Sequence, residues 1–317
     1  MFFITNITPN MATIKKILTS KDGSINYILP YGKSMVECRY VRRSPKYISA
    51  YVSSHNGCKM GCKFCWLSQQ QQTAFKHVPI WGPGSYIDQL DTILQNSHKN
   101  DINRDVRVNV NFMARGEPLA NKNIITSWTE LQSQINRLVT NTYTYSEVKY
   151  NISTIMPYTI ANYKLYNIFE NNPVNIYYSL YSINNKFKTE WMPNAIPWER
   201  ALDKLSEFQN HSQTNPNNNI VFHGAFIKNV NDDEREVYNM AQEISKRGFK
   251  RTKFNLVRLN PHPHASFQEP DEAKLKILFN IMKTHMNDDT LNKKSTIIDR
   301  IGFDAYASCG TFPLDDE

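Results

Sequence analysis

Three closely spaced cysteines are the residues whose types and spacing most directly suggest chemistry. Cys58, Cys62 and Cys65 follow a C-x3-C-x2-C pattern within one short segment. Thiolates at this spacing can ligate three irons of a 4Fe-4S cubane, a cluster that normally takes four cysteines. The fourth iron is then open to a small molecule, and S-adenosylmethionine (SAM) can chelate it through its amino and carboxylate groups. An electron from the cluster would break a carbon–sulfur bond of SAM and yield a 5′-deoxyadenosyl radical.

Two other interpretations of the cysteine segment stay open. The thiols could belong to a structural zinc site completed by a histidine, since His55 lies close by, or they could be three unrelated buried cysteines. Zinc loops favour C-x2-C pairs with a second ligand pair farther along the chain. The sequence has no second pair, so the spacing favours the iron–sulfur cluster.

The elements that must position these thiols follow from six short segments rich in β-branched or aromatic residues. They are residues 47–52, 106–112, 148–154, 174–180, 219–226 and 252–257. A polar loop and a helix-like stretch follow each segment. Six strand–helix units in series predict a parallel sheet with right-handed crossovers. Chemistry is then expected at the C-terminal ends of the strands, and the cysteines come directly after the first strand.

A separate pattern precedes these units. Residues 22–46 alternate apolar and polar around Pro30-Tyr31-Gly32-Lys33, which predicts a β-hairpin. We therefore expect an N-terminal segment at 1–21, a hairpin extension at 22–46 and a core domain at 47–317. Met11 is a possible alternative start of the chain, because ordinary domain sequence begins near Lys15.

Charge and hydropathy indicate the compartment and the partners. Lys and Arg number 37 against 29 Asp and Glu, and basic residues cluster at 39–46 and 246–253. Such clusters favour a polyanionic partner such as RNA, although an ordinary solvated surface would look similar. No apolar run approaches the roughly 18 residues that span a bilayer. We expect no membrane partner and a cytoplasmic location, where crowded cysteines suit metal ligation better than disulfides.

Further motifs occur in order at the ends of the predicted strands. They are Gly116-Glu117-Pro118, Ser153-Thr154, Ser179-Leu180-Tyr181-Ser182, Asn260-Pro261 and Ala307-Ser308-Cys309-Gly310. With the cysteine segment, they make residues 35–312 resemble the radical SAM adenosine methyltransferases of large-subunit ribosomal RNA and transfer RNA. That family methylates carbon 2 of an adenine, and its antibiotic-resistance relatives methylate carbon 8. The fold class implied is α/β, a partial TIM-like (β/α)6 radical SAM barrel with an N-terminal β-hairpin extension.

The resemblance also implies cofactor contacts. Gly116 and Glu117 would hold the ammonium group of SAM, since a carboxylate is the natural partner of a buried cation. Phe64 would lie against the adenine, and hydroxyl and amide groups would contact the ribose and carboxylate. The implied cofactor-binding residues are Phe64, Gly116, Glu117, Ser153, Ser179, Leu180, Tyr181 and Asn260. Flavodoxin or ferredoxin would supply the electrons.

Two further residues match the catalytic positions of the family. Cys309 would carry the methyl group: one SAM methylates it, and the radical from a second SAM turns that methyl into a methylene radical that adds to the base. Glu37 would remove the proton that resolves the protein–RNA adduct. The alternatives are a buried free cysteine and a solvated glutamate.

The chain departs from the family in two respects. The family has a resolving cysteine seven residues before the first cluster cysteine, where this sequence has Tyr51, which cannot exchange thiols. Cys38 is the remaining thiol, but it should face away from the site if its neighbour Glu37 faces inward. Fewer than about 25 residues precede the hairpin, whereas family members usually carry a helical accessory domain there.

Three outcomes follow from the position of Tyr51. An external thiol could resolve the adduct, the protein could stall on RNA, or the chemistry could have diverged. The functional alternatives are therefore a radical SAM enzyme with another substrate and an iron–sulfur RNA-binding protein that has lost turnover.

Overall fold

In a computed structural model of the protein, the structure describes residues 13–69, 77–98, 105–169, 172–211, 218–261, 265–286 and 291–313. The strands of this part of the chain are β1 (Lys16–Thr19), β2 (Ile25–Tyr31), β3 (Ser34–Ser44), β4 (Tyr47–Val52), β5 (Arg107–Phe112), β6 (Glu147–Thr154), β7 (Val174–Ser179), β8 (Ile220–Gly224), β9 (Thr252–Val257) and β10 (Thr296–Ile298). The helices are α1 (Trp66–Gln69), α2 (Gly82–His98), α3 (Lys122–Thr126), α4 (Trp128–Asn136), α5 (Leu165–Phe169), α6 (Asn185–Trp191), α7 (Trp198–His211), α8 (Glu234–Lys246) and α9 (Glu272–His285).

One sheet takes in all these strands in chain order. Strands β1 to β4 pair antiparallel, whereas each neighbouring pair from β4 to β10 is parallel. The six predicted strands and the hairpin are therefore confirmed, and so is the α/β fold class with a mostly parallel sheet. Gly32, which has a φ of +58°, forms the hairpin turn between β2 and β3.

Strands β1 and β10 were not predicted. β1 has only four residues and is largely exposed, so it shows no apolar alternation. β10 has three residues, which is too short for a period-two pattern to be recognised. Both extend the sheet at its edges, β1 beside β2 and β10 beside β9.

The hydrophobic core lies between the sheet and the helices that cover it. Successive side chains of a strand point to opposite faces, and in β4 the core face consists of Ile48, Ala50 and Val52. Leu90 and Ile93 of α2 belong to the same buried cluster. Burial of each of these valine, leucine and isoleucine side chains contributes about 1.5–3 kcal/mol, which holds the cysteine segment beside a rigid strand end.

The opposite face of the sheet is polar and carries a ladder of asparagine amides. The Nδ2 group of Asn151 donates to Asn111 Oδ1, Asn175 Nδ2 donates to Asn151 Oδ1, and Asn219 Nδ2 donates to Asn175 Oδ1, each at 2.8 Å. A satisfied network of this kind rigidifies neighbouring strands. The ladder therefore links β5, β6, β7 and the residue that precedes β8, below the edge at which the C-terminal ends of the strands meet.

Candidate cluster and cofactor site

A cavity of about 140 Å³ lies at the C-terminal ends of the parallel strands. Of the predicted site residues, those that line it are Cys58, Cys62, Phe64, Cys65, Gly116, Glu117, Ser153, Ser179, Tyr181, Asn260 and Cys309. Leu180 and Glu37 are the predicted residues that do not. The motifs are thus brought together from four strand ends, the cysteine segment and the C-terminal segment.

The cysteine segment is shaped by a left-handed turn and by contacts to the last residue of α6 and to the loop that follows this helix. Gly61 has a φ of +68°, a conformation that residues with a side chain rarely adopt. The Nδ2 group of Asn194 lies within hydrogen-bonding distance of the carbonyl oxygens of Lys59 and Met60, at 3.3 and 3.2 Å. The Lys63 amide donates to Trp191 O at 2.9 Å. The loop is therefore held on both sides of Gly61.

The donor set fits an iron–sulfur cluster. Cys58, Cys62 and Cys65 are all free thiols that face the same cavity. Burial raises the pKa of all three, and for Cys65 the pKa is about 11. A metal centre would supply the positive charge that favours the thiolate forms. These residues would hold a 4Fe-4S cluster through three ligands and leave one iron for SAM.

The zinc alternative receives no support from His55. Its Nδ1 atom is 2.9 Å from Ser54 Oγ, and its ring stacks on that of His77 at 4.1 Å. His55 is fully buried and is not among the residues that line the cavity. Within the described part of the chain, no three His, Cys, Asp or Glu side chains are grouped to hold a single metal ion.

Glu117 presents a buried carboxylate to the cavity. The amides of Leu119 and Ile155 donate to its two oxygens, each at 3.0 Å. Burial raises the pKa of Glu117 to about 7 despite these hydrogen bonds. A bound ammonium group would favour the ionised form, so the site suits the amino group of SAM.

Gly116 allows the backbone to pass close to the cysteine segment. Its φ is +95°, and a Cβ atom placed there would lie 2.6 Å from both Ser54 Oγ and His55 Nδ1. Both of these side chains are buried. Only glycine fits this position, which sets the direction of the neighbouring Glu117.

A histidine that the sequence analysis missed joins two predicted serines. His223 Nε2 lies 3.2 Å from Ser153 Oγ and 2.9 Å from Ser179 Oγ, and all three residues line the cavity. Burial lowers the pKa of His223 to about 4, so the ring is neutral at pH 7. His223 lies in β8, so the strand-end rule could have indicated it, although no motif marks it.

The remaining predicted cofactor residues differ in their surroundings. The rings of Phe64 and Tyr181 stack at 4.1 Å with an angle of 10° between their planes. Asn260 Nδ2 donates to Cys309 O at 2.7 Å, while its buried Oδ1 has no partner among the described residues and can accept a hydrogen bond from a ligand. Leu180 instead packs in the hydrophobic core. An aromatic stack and an unpaired amide oxygen are features that suit a nucleoside bearing amino-acid groups.

Glu37 lies outside the cavity wall. Its carboxylate accepts hydrogen bonds from Asn26 Nδ2 at 2.7 Å and Arg115 Nε at 3.1 Å, and Arg39 Nη2 lies 3.3 Å away. Glu37 is 0% exposed. Its role as a proton acceptor stays a prediction.

The two thiols outside the cluster segment occupy different environments. Cys309 is exposed and lines the cavity, whereas Cys38 is buried in the core directly opposite Val52. Burial raises the pKa of Cys38. Tyr51 lies opposite Arg39 on β3 and Asn111 on β5. Cys38 therefore faces away from Cys309. This is the orientation expected for Cys38, because neighbouring strand residues such as Glu37 and Cys38 point to opposite faces of the sheet.

None of the described helices is both long and apolar enough to cross a membrane.

Comparison with known proteins agrees with this geometry. The family model described as Radical SAM superfamily matches residues 52–241. The chain is 26% identical over 330 residues to the Dual-specificity RNA methyltransferase RlmN of a Nitratiruptor species, covering 96% of this chain and 81% of that protein. It is also 26% identical over 271 residues to the RlmN of Francisella tularensis subsp. tularensis, covering 83% and 68%.

A solved structure is similar in fold. The radical SAM methyltransferase from Sphaerobacter thermophilus superposes with a TM-score of 0.70 at 18% sequence identity, covering 94% of this chain and 80% of that one. At this identity the likeness concerns the fold, and it agrees with the predicted partial barrel.

Proposed function

Because this chain belongs to the radical SAM superfamily, we propose that it is an RNA adenosine methyltransferase of the RlmN type that carries the methyl group on Cys309. The observation that carries this proposal is the exposed Cys309 side chain in the same cavity as the three cluster cysteines. Dual-specificity RNA methyltransferases that align with 96% of the chain support RNA as the substrate. The bound cluster and SAM would supply a radical next to this thiol.

The chain's own residues would perform the binding steps. Cys58, Cys62 and Cys65 would hold the cluster, and Glu117 would pair with the ammonium group of SAM. The amide oxygen of Asn260, which has no partner in the described part of the chain, would accept a hydrogen bond from the cofactor. These contacts would limit the orientations of the cofactor in the cavity that Cys309 also lines.

Cys309 would then accept the methyl group. Its exposed thiol would lose a proton to solvent, and the sulfur would form a bond to the methyl carbon as the bond from that carbon to the sulfonium sulfur of SAM breaks. S-adenosylhomocysteine leaves, and a thioether remains on the protein. The adenine must be unpaired or flipped to reach this sulfur, because the ring atoms of a base stacked inside a duplex are not accessible to an enzyme.

Resolution of the adduct is proposed to use an external thiol. Tyr51 cannot take part in thiol exchange, and Cys38 is buried on the other side of the sheet. The electron that reduces the cluster would come from a flavodoxin or ferredoxin, in keeping with a cytoplasmic enzyme.

The proposal is tested by anaerobic reconstitution with methyl-labelled SAM, a reductant, an external thiol and total RNA. We expect label in an adenosine of the RNA and on the Cys309 peptide, both measured by mass spectrometry. Cys309→Ala should abolish RNA labelling, whereas the matched control Cys38→Ala, which removes a thiol outside the cavity, should retain it.

Two results would select the alternatives. Release of 5′-deoxyadenosine that is unaffected by Cys309→Ala, without methylated RNA, would indicate a radical SAM enzyme with another substrate. RNA binding that weakens with salt, without any release of 5′-deoxyadenosine, would indicate a binding protein that has lost turnover.

A further inference from the structure

Buried side chains hold the segment that carries Cys309. Asn26, Arg39 and Arg115 all donate hydrogen bonds to its backbone carbonyl groups, at distances of 2.6 to 3.4 Å. The accepting residues are Ala305, Tyr306, Ser308, Thr311 and Pro313. The Ser20 hydroxyl and the Lys21 amide also donate to the Asp304 carboxylate, and the Trp66 amide donates to Gly310 O. Asn26, Arg39 and Arg115 thus provide the buried side-chain bonds that join the segment to the hairpin and to the loop after β5.

Glu37 lies at the centre of these donors. Its carboxylate contacts the Asn26 amide at 2.7 Å, the Arg115 guanidinium at 3.1 Å and the Arg39 guanidinium at 3.3 Å. None of the four side chains is more than 2% exposed. Buried charges persist only when they are paired and hydrogen-bonded, so the carboxylate both neutralises and orients the guanidinium groups.

The ring of Phe312, in the same C-terminal segment, lies near both guanidinium groups. Its centroid is 5.0 Å from the guanidinium carbon of Arg39 and 5.7 Å from that of Arg115. Two cations share one carboxylate here, and an aromatic face stabilises the excess charge. The segment is therefore held through a side chain as well as through its backbone.

The side chain of Cys309 is left pointing at the cavity. Its backbone carbonyl accepts a hydrogen bond from Asn260 Nδ2 at 2.7 Å, and Arg39 holds the carbonyl groups of Ser308 and Thr311 on either side. Misplacement of a reacting group by about 1 Å can cost on the order of a hundredfold in rate. The hydrogen bonds from Arg39 to the backbone on both sides of Cys309 limit such misplacement.

We propose that Glu37, with Asn26, Arg39 and Arg115, forms a positioning cluster that fixes Cys309 for methyl transfer, an inference that rests on the proposed function. This role differs from the proton acceptor that the resemblance implies for Glu37. A proton acceptor must come within hydrogen-bonding distance of its proton. The Glu37 carboxylate is fully buried, bonded to protein donors and outside the cavity wall.

The order of the reaction steps separates the two roles. Methylation of Cys309 precedes contact with RNA, whereas proton removal follows formation of the RNA adduct. In protein without RNA, Glu37→Gln should slow methylation of Cys309 by about ten- to a hundredfold. Uncoupled release of 5′-deoxyadenosine should continue in this variant, because the residues that would hold the cluster and SAM are unchanged. Since a misfolded variant would not release 5′-deoxyadenosine, this measurement shows that the fold is intact.

Hydrogen exchange in the SAM-free protein gives a readout that does not depend on activity. Glu37→Gln should raise exchange of the peptide covering residues 303–313 and the rate at which iodoacetamide alkylates Cys309, both measured by mass spectrometry. Arg39→Lys should do the same, because an ammonium keeps the charge but loses the planar fork that holds two carbonyl groups. Glu147→Gln is the matched control, since that glutamate forms an exposed ion pair with Arg107.

The outcomes are distinct. Faster exchange and slower Cys309 methylation in both variants, with Glu147→Gln unchanged, supports the positioning role. Exchange and methylation equal to those of the unaltered protein, with RNA adduct accumulating in Glu37→Gln, overturns it. If Glu37→Gln fails to fold, Arg39→Lys decides by the same two measurements. If the unaltered protein never methylates Cys309, the proposed function fails, while hydrogen exchange still tests the anchoring.

Discussion

Replacement of Gly116 by alanine tests how closely the Gly-Glu-Pro segment packs on the cysteine segment. The added Cβ would lie 2.6 Å from Ser54 Oγ and His55 Nδ1 and 2.8 Å from His55 Cβ, so buried groups must move. Overpacking of this kind costs about 1–3 kcal/mol. The φ of +95° adds backbone strain of about 1–3 kcal/mol for a residue with a side chain. We expect Gly116→Ala to lower the free energy of unfolding by about 2–6 kcal/mol.

Gly23→Ala is the matched control, because Gly23 has a similar φ of +83° but no atom within 4 Å of the added Cβ. The backbone strain and the reduced freedom of the unfolded chain are then common to both variants. Urea unfolding of the cluster-free protein under reducing conditions should show an excess loss of about 1–3 kcal/mol for Gly116→Ala. Equal losses in the two variants would refute the close packing that we describe.

The other predictions concern three cavity or sheet residues. Glu117→Gln should weaken SAM binding about ten- to a hundredfold in equilibrium dialysis, because a charge-assisted hydrogen bond is lost, and unchanged affinity would exclude the ammonium contact. Burial lowers the pKa of His223 from 6.5 to about 4, so between these pH values the unfolded chain binds a proton that the folded chain does not. The free energy of unfolding should therefore decrease as the pH falls from 6.5 toward 4. Replacing His223 by Gln should remove up to about 3 kcal/mol of that pH dependence in urea titrations, and equal pH dependence in both proteins would contradict the assignment. Tyr51→Cys should form a disulfide with Cys309 on mild oxidation and reduce the need for an external thiol, and absence of the linked peptide in mass spectrometry would show that position 51 does not reach the carrier.

The sequence predicted the strands well where turn residues bound a β-branched or aromatic segment. The segments 47–52 and 252–257 match β4 and β9 to the residue. Because parallel strands end at one edge, the rule that chemistry lies there grouped the cysteines with Glu117 and Ser153, and in the structure these residues line one cavity. Strand-end position and residue type were sufficient information for that prediction.

Contacts between side chains that are far apart in the sequence leave no pattern in the sequence comparable to that of the strands. Arg115 reaches Glu37 across 78 residues and the Pro313 carbonyl across 198, and neither contact follows from periodicity or spacing. His223 was missed because a single histidine in a strand is usually a core residue, and only its distances to two serines reveal its place. Leu180 was included because it lies beside Ser179, although alternation along the strand turns it into the core.

The electron paramagnetic resonance spectrum of the reduced, anaerobically reconstituted protein, recorded before and after addition of SAM, tests the central claim most directly. Three thiolate ligands leave one iron for SAM, so we expect a 4Fe-4S signal whose g values shift when SAM binds, and loss of that signal in Cys62→Ala. Protein that instead contains zinc, or an iron–sulfur signal that SAM leaves unchanged, would contradict the account.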